Sequence, residues 1–213
     1  FVVNAQNPNF RFVTYGLQDG LSQSMVKRIA QDHKGFMWFA TQDGLNRYDG
    51  QNFKIFPEVF DDITSPDRAQ LGKVAVNGNK LWLITKGGKL KIMDLCTEDI
   101  FPVERLRPGM DLLPPVSSIY EDENEDVWIG TLKQGLYHWN SQNKLLNRYR
   151  EDAEVPFAIA GNSVRSIFKD KDRKIWVLTS NGITRIEAKS SLTFLKGMNT
   201  NVATQDKNGK IWV

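Results

Sequence analysis

Val26-Lys27-Arg28-Ile29-Ala30-Gln31-Asp32-His33-Lys34-Gly35-Phe36-Met37-Trp38-Phe39-Ala40-Thr41-Gln42-Asp43-Gly44-Leu45-Asn46-Arg47-Tyr48-Asp49 decides the fold. It reads as an alternating strand, an Asp-rich turn, a Trp-centred strand, a Gly turn and an aromatic-ended strand. Asp32-His33-Lys34-Gly35 is turn chemistry: Asp bonds nearby backbone and Gly accepts positive φ. Met37–Thr41 is a continuous apolar run, as expected of a strand covered on both faces. Asp49-Gly50 is a further turn, and Phe53-Lys54-Ile55-Phe56 completes a four-stranded antiparallel meander.

The pattern returns along the chain. Copies run over 74–94, 116–139 and 164–186, and another begins at Val202 and reaches Val213. Successive Trp registers, Trp38, Trp82, Trp128 and Trp176, stand 44, 46 and 48 residues apart; Trp212 follows after 36. Such a period belongs to four-stranded propeller blades. A lone four-stranded sheet cannot bury both faces, whereas blades stacked around an axis can. The fold class is therefore all-β, a β-propeller of about four and a third blades. The blades span 24–57, 70–103, 116–150 and 163–196, a fifth starts at 201–213, and 10–17 is a detached outer strand. The recurrent Trp packs between neighbouring blades. Chain count predicts an incomplete propeller, an open arc whose edges self-associate.

Composition narrows function by exclusion. The chain has 213 residues, 40% hydrophobic and 25% charged, an ordinary globular balance. The 28 basic and 25 acidic residues are interspersed, and a net charge of +3 does not mark a nucleic-acid binder. One cysteine, Cys96, rules out a disulfide framework and reads as a small core residue. No run of 18 apolar residues occurs, so no direct membrane contact is expected. Phe1-Val2-Val3-Asn4-Ala5-Gln6 has the form of an export cleavage site, with Val3 and Ala5 at the small-residue positions.

No constellation reads as catalytic. Asp122-x-Asn124-x-Asp126 begins like a calcium loop, but Val127 stands where Gly is needed and Lys133 where the closing Glu belongs. It is read as a hairpin turn. His33 and His138 occupy different blade positions, as a solvated turn residue and a strand residue, without zinc spacing. No nucleophile elbow or phosphate loop is present. No cofactor and no metal are expected. Lys86, Lys89 and Lys91 read as a solvated basic hairpin. Trp139 breaks the Trp register; it and Phe157 read first as ordinary packing and second as partly exposed candidates for stacking on a sugar.

The long connections 57–72, 102–115 and 150–162 open on the same face as the second-to-third-strand turns. Binding residues concentrate on such loops. The expected polar mouth residues are Gln42, Asp43, Arg68, Lys86, Arg107, Lys133 and Gln134. Arg and Lys there suit uronate or sulfate groups; amides and carboxylates suit hydroxyls.

Asp19-Gly20-Leu21-Ser22, then the stretch from Val26 to Gly50, and Val127-Trp128-Ile129-Gly130-Thr131 with Gly135-Leu136-Tyr137 resemble the two-component regulator propeller repeat. The resemblance covers nearly the whole chain. The second copy departs, with Lys86-Gly87-Gly88 in place of the usual turn. The resemblance implies the periplasmic sensor half of a hybrid histidine kinase, an oligosaccharide ligand, and a role in controlling transcription of carbohydrate use. Its implied partners are the rest of the ectodomain and a second copy as homodimer. It also implies that this stretch is not itself an enzyme. A scaffold without a ligand site is the alternative. Some propellers with similar Trp strands are lyases, which would require convergent His and Glu on the mouth.

Overall fold

The structure is a computed structural model, described over residues 12–57, 71–85, 87–151, 157–187 and 190–213. It contains four four-stranded antiparallel sheets and one hairpin, each sheet ordered as a plain meander. Blade 1 is β1 (Val26–Gln31), β2 (Met37–Thr41), β3 (Gly44–Tyr48) and β4 (Phe53–Phe56). Blade 2 is β5 (Leu71–Asn77), β6 (Lys80–Thr85), β7 (Leu90–Asp94) and β8 (Ile100–Pro102). Blade 3 is β9 (Val116–Glu121), β10 (Val127–Thr131), β11 (Leu136–Trp139) and β12 (Leu146–Tyr149). Blade 4 is β13 (Val164–Lys169), β14 (Ile175–Thr179), β15 (Gly182–Ile186) and β16 (Ser191–Phe194), and β17 (Thr204–Gln205) pairs with β18 (Ile211–Trp212). The expected propeller meanders are all present.

The second strands form because they are apolar on both faces and both faces are covered. All five residues of β10 and of β14 are buried. Their side chains meet the next blade. Trp38 packs with Leu71, Leu81, Leu83 and Met93 of blade 2. Trp82 packs with Val116, Ile119, Val127 and Ile129 of blade 3, and Trp128 with Val164, Ile167 and Val177 of blade 4. Trp176 meets Ala203 and Ile211 of the terminal hairpin. Each large aromatic sealed this way is worth about 3–5 kcal/mol against truncation to Ala.

The turns follow one plan. Asp32 Oδ1 accepts from the Lys34 and Phe36 amides, while its Oδ2 accepts from Trp38 Nε1 at 2.8 Å. Asp170 and Asp206 take Trp176 and Trp212 Nε1 in the same way, at 2.6 and 3.1 Å. One carboxylate six residues before the Trp thus closes the hairpin and satisfies the indole. Asp122 closes its turn through the Asn124 and Asp126 amides, so the calcium-like stretch is a hairpin turn. At the opposite end, Thr41, Thr131 and Thr179 close the second-to-third-strand turns by donating to Gly44, Gly135 and Gly182 carbonyls.

The inner strand of each of the four blades carries a bulge at its second residue. The register slips at Lys27, Gly72, Ser117 and Arg165. A bulge adds one residue and re-aims the side chains beside it. The four inner strands stand side by side about the axis, β1 against β5, β5 against β9 and β9 against β13.

Three expectations are corrected here. Phe12–Tyr15 form no strand; Phe10 and Arg11 lie outside the described residues. Tyr15 instead packs at a tilt on Tyr48 and edge-on to Phe53, with ring centroids 5.0 and 5.8 Å apart, so ring packing replaces a ladder. Cys96 is exposed, because its amide joins the turn that Asp94 Oδ1 organises at the outer end of blade 2. The connection 102–115 is not an open mouth loop. Val103 and Met110 enter the core between blades 2 and 3, since the two sheets diverge outward and apolar residues fill the wedge.

Candidate mouth of the propeller

The mouth face carries the second-to-third-strand turns and the starts of the inner strands. Thr41 pairs with Val26, Thr85 with Leu71, Thr131 with Val116 and Thr179 with Val164, which puts both features at one end. Successive blades are latched there. The Val116 amide donates to the Gly88 carbonyl at 3.0 Å, Gly135 N donates to Asn162 O at 2.9 Å, and Thr200 Oγ1 donates to Gly182 O at 3.2 Å. Gly88 must be Gly: at φ +80 its Cβ would stand 2.5 Å from Val116 N.

The expected mouth residues divide. Gln42 is half-buried and Asp43 exposed in the β2–β3 turn, where the Asp43 amide donates to Thr41 Oγ1 at 3.2 Å. Lys133 and Gln134 are exposed in the β10–β11 turn. Gln134 is held by Arg148, whose Nε donates to its carbonyl at 2.9 Å and whose Nη2 donates to its Oε1 at 3.2 Å. Arg68 and Lys86 lie outside the described residues.

Arg107 does not reach the mouth. It is buried between blades 2 and 3, its Nη2 donating to Glu121 Oε1 at 2.5 Å. Glu121 has no exposed side-chain surface, and it also accepts from Lys80 Nζ at 3.0 Å and Trp82 Nε1 at 2.7 Å. The Arg107 guanidinium lies 4.4 Å over the Trp139 ring. Trp139 is accordingly buried, not exposed. A buried guanidinium requires a counter-ion and a flat partner, and both stand at this junction. Phe157 is half-buried, edge-on to Tyr149 at 6.1 Å.

Lys91 is likewise buried, against the expectation of a solvated hairpin, while Lys89 is exposed. Both line a recess of about 290 Å³ with Thr85, Glu104 and Leu113, roofed by the 102–115 connection. Its mouth-side position makes it a candidate to hold part of a ligand.

His33 is exposed in its turn. His138 stacks on Trp128 at 3.9 Å and meets Asp126 Oδ2 at 3.1 Å. Burial lowers its pKa despite the Asp126 charge. The two His are far apart in the fold, and among the described residues no group of three His, Cys, Asp or Glu converges as for a metal.

Sequence reasoning passed over the inner strands. Lys73 Nζ, from blade 2, donates to the Arg165 carbonyl of blade 4 at 2.7 Å, crossing the axis at the mouth end. Arg28 of blade 1 is close enough to act on the Lys73 charge. The signal was present: basic residues fall at the second or third inner-strand position of three of the four units.

Comparison with known proteins follows the same repeats. Residues 20–43, 113–133 and 158–181 match the two-component regulator propeller family, in blades 1, 3 and 4. A segment of 63 residues is 49% identical to histidine kinase P4 of Formosa agariphila, covering 30% of this chain and 5% of that protein. The fold is similar to the extracellular domains of two proteins described as hybrid two-component systems of B. thetaiotaomicron. Their TM-scores are 0.71 and 0.59 at 20% and 21% identity, covering 91% and 94% of this chain. The chain spans 25% and 33% of those two chains. Virginiamycin B lyase of Staphylococcus aureus has a similar fold, with TM-score 0.62 and 15% identity over 86% of this chain and 61% of its own.

Proposed function

We infer that this chain, which carries two-component regulator propeller repeats, is part of the extracytoplasmic sensor of a hybrid histidine kinase. In this reading its mouth contributes to recognition of an oligosaccharide released from a polysaccharide, and the bound state is relayed across the membrane to control transcription. The observation that carries the reading is the coincidence of the repeat matches with three of the four blades, blades 1, 3 and 4. The similarity to extracellular domains supports a periplasmic location. In this reading this part of the protein binds its ligand rather than transforming it; among the described residues its two His do not converge with Glu at the mouth, the arrangement a lyase centre would need. Exposed Asp43 and Lys133 and half-buried Gln42 supply donors and acceptors for sugar hydroxyls.

A glycan array followed by calorimetry on the full chain tests this. An oligosaccharide that binds, and binds more weakly after Asp43→Ala or Lys133→Ala, upholds it. Binding to a protein partner with no response to any oligosaccharide overturns it.

A scaffold reading is favoured by one observation. Met25 and Ile29 on the inner side of blade 1 are more than half exposed, at 58% and 57%, an apolar strip suited to a second copy. Sedimentation of the chain with Ile29→Lys decides it: an unchanged monomer before and after substitution removes this reading.

A further inference from the structure

Three basic residues stand at the mouth ends of the inner strands. Arg28 comes from β1, Lys73 from β5 and Arg165 from β13, all beside the inner-strand bulges. The Lys73 ammonium reaches the Arg165 carbonyl at 2.7 Å, so strands from blades 2 and 4 stand within one lysine of each other. Arg28 uses one donor on the Lys27 carbonyl at 2.8 Å. Among the described residues no carboxylate pairs with any of the three.

Like charges brought together without an acid repel one another, and burial adds to the cost for Lys73. Its pKa is pushed down to about 8, first by burial and then by Arg28 and Arg165. Elsewhere in this chain, clustered cations have acids: Arg107 and Lys80 share Glu121, and Lys169 has Asp122 and Glu123. The axial trio is built differently. It keeps unused guanidinium donors, in the planar geometry that grips a carboxylate or sulfate through two oxygens. Their summed charge raises the local concentration of an approaching anion.

We propose that Arg28, Lys73 and Arg165 form an anion subsite at the axis of the mouth, which takes the carboxylate or sulfate group of an acidic oligosaccharide. This deepens the sensor reading and rests on it for the saccharide part of the ligand. Neutral sugars would engage the turn residues alone, and the axial charge would select acidic ones.

The test is calorimetry on the full chain with three probes: a uronate-containing oligosaccharide, a sulfated disaccharide and a neutral oligosaccharide. Inorganic sulfate is a fourth titrant. At least one acidic saccharide is expected to bind at least ten-fold more tightly than the neutral one, and to lose at least ten-fold with Lys73→Met or Arg28→Gln. Arg28→Gln alters an exposed side chain, so it reports even if Lys73→Met perturbs folding. The uronate and sulfate arms identify which group is taken. Neutral saccharide binding without preference for acidic probes, and unchanged in both variants, overturns the subsite and leaves the sensor reading standing. Sulfate binding that requires Arg28, with no saccharide response, upholds the anion site and overturns the saccharide reading. No response to any probe overturns both.

Discussion

Trp82 Nε1 donates to Glu121 Oε2 at 2.7 Å, across the junction between blades 2 and 3. In units 1, 4 and 5 the indole finds its acceptor six residues back, on Asp32, Asp170 and Asp206. Blade 2 has Val76 at that position. Its indole is therefore satisfied from the next blade, and the borrowed carboxylate also binds Arg107 and Lys80.

Glu121→Ala should cost about 3–5 kcal/mol, because it strands a buried guanidinium and a buried indole donor together. Glu121→Gln with Arg107→Met should stay within about 1–2 kcal/mol of the parent. The amide still accepts from Trp82, the methionine fills the guanidinium volume, and partly exposed Lys80 can turn to water. Urea unfolding measures both; a double variant as unstable as Glu121→Ala would show that the charge itself is required.

Asp32→Ala should cost about 2–3 kcal/mol in the same assay. It removes the acceptor for the Lys34 and Phe36 amides and for buried Trp38 Nε1. Asp206→Ala should cost less, because its hairpin and Trp212 are exposed to water, which replaces the lost bonds. Equal losses at the two sites would contradict the role given to burial.

Gly130→Ala should destabilise by about 1–3 kcal/mol. A Cβ there would stand 2.4 Å from Val164 Cγ1 and 2.8 Å from Val164 Cβ, across the blade 3–4 junction. Val164→Ala in the same chain should recover part of the loss. Calorimetric midpoints that simply add would place the clash elsewhere.

Lys73 should make stability rise with pH between about 8 and its ordinary 10.5. In that window the unfolded chain holds the proton and the folded chain has released it, so raising pH favours the fold. Burial is the first cause, followed by Arg28 on β1 and Arg165 on β13; Ser117, on the intervening β9, carries no charge. Below pH 8 the charged ammonium weighs against the fold. Lys73→Met should flatten this part of the stability–pH curve, read as urea midpoints from pH 7 to 10. An unchanged slope would mean that Lys73 keeps an ordinary pKa.

Much of the fold was legible in local chemistry. The Trp period, the Asp and Gly turns and the apolar second strands mark the meanders, because strand and turn preferences act within a few residues. The candidate site was legible only in part. Asp43, Lys133 and Gln134 sit on short turns whose place follows from the meander. Arg107 sits on a longer connection, where polar composition suggested solvent, yet Val103 and Met110 carry that connection into the core. The axial trio was missed because its members are far apart in the chain, and only the curvature of the arc lets Lys73 reach Arg165.

By itself the sequence determined the blade: which residues make strands, where each sheet turns, and which large aromatic each unit presents to the next. These are short-range matters of alternation, turn propensity and Asp–Trp spacing. Only the tertiary structure decided which charges meet. Glu121 serves Trp82 and Arg107, and Lys73 lies beside Arg28 and Arg165. Those pairings depend on how tightly blades stack and curl, set by Gly130 against Val164 and by the Trp layers between the sheets. No spacing within a single repeat encodes that curvature.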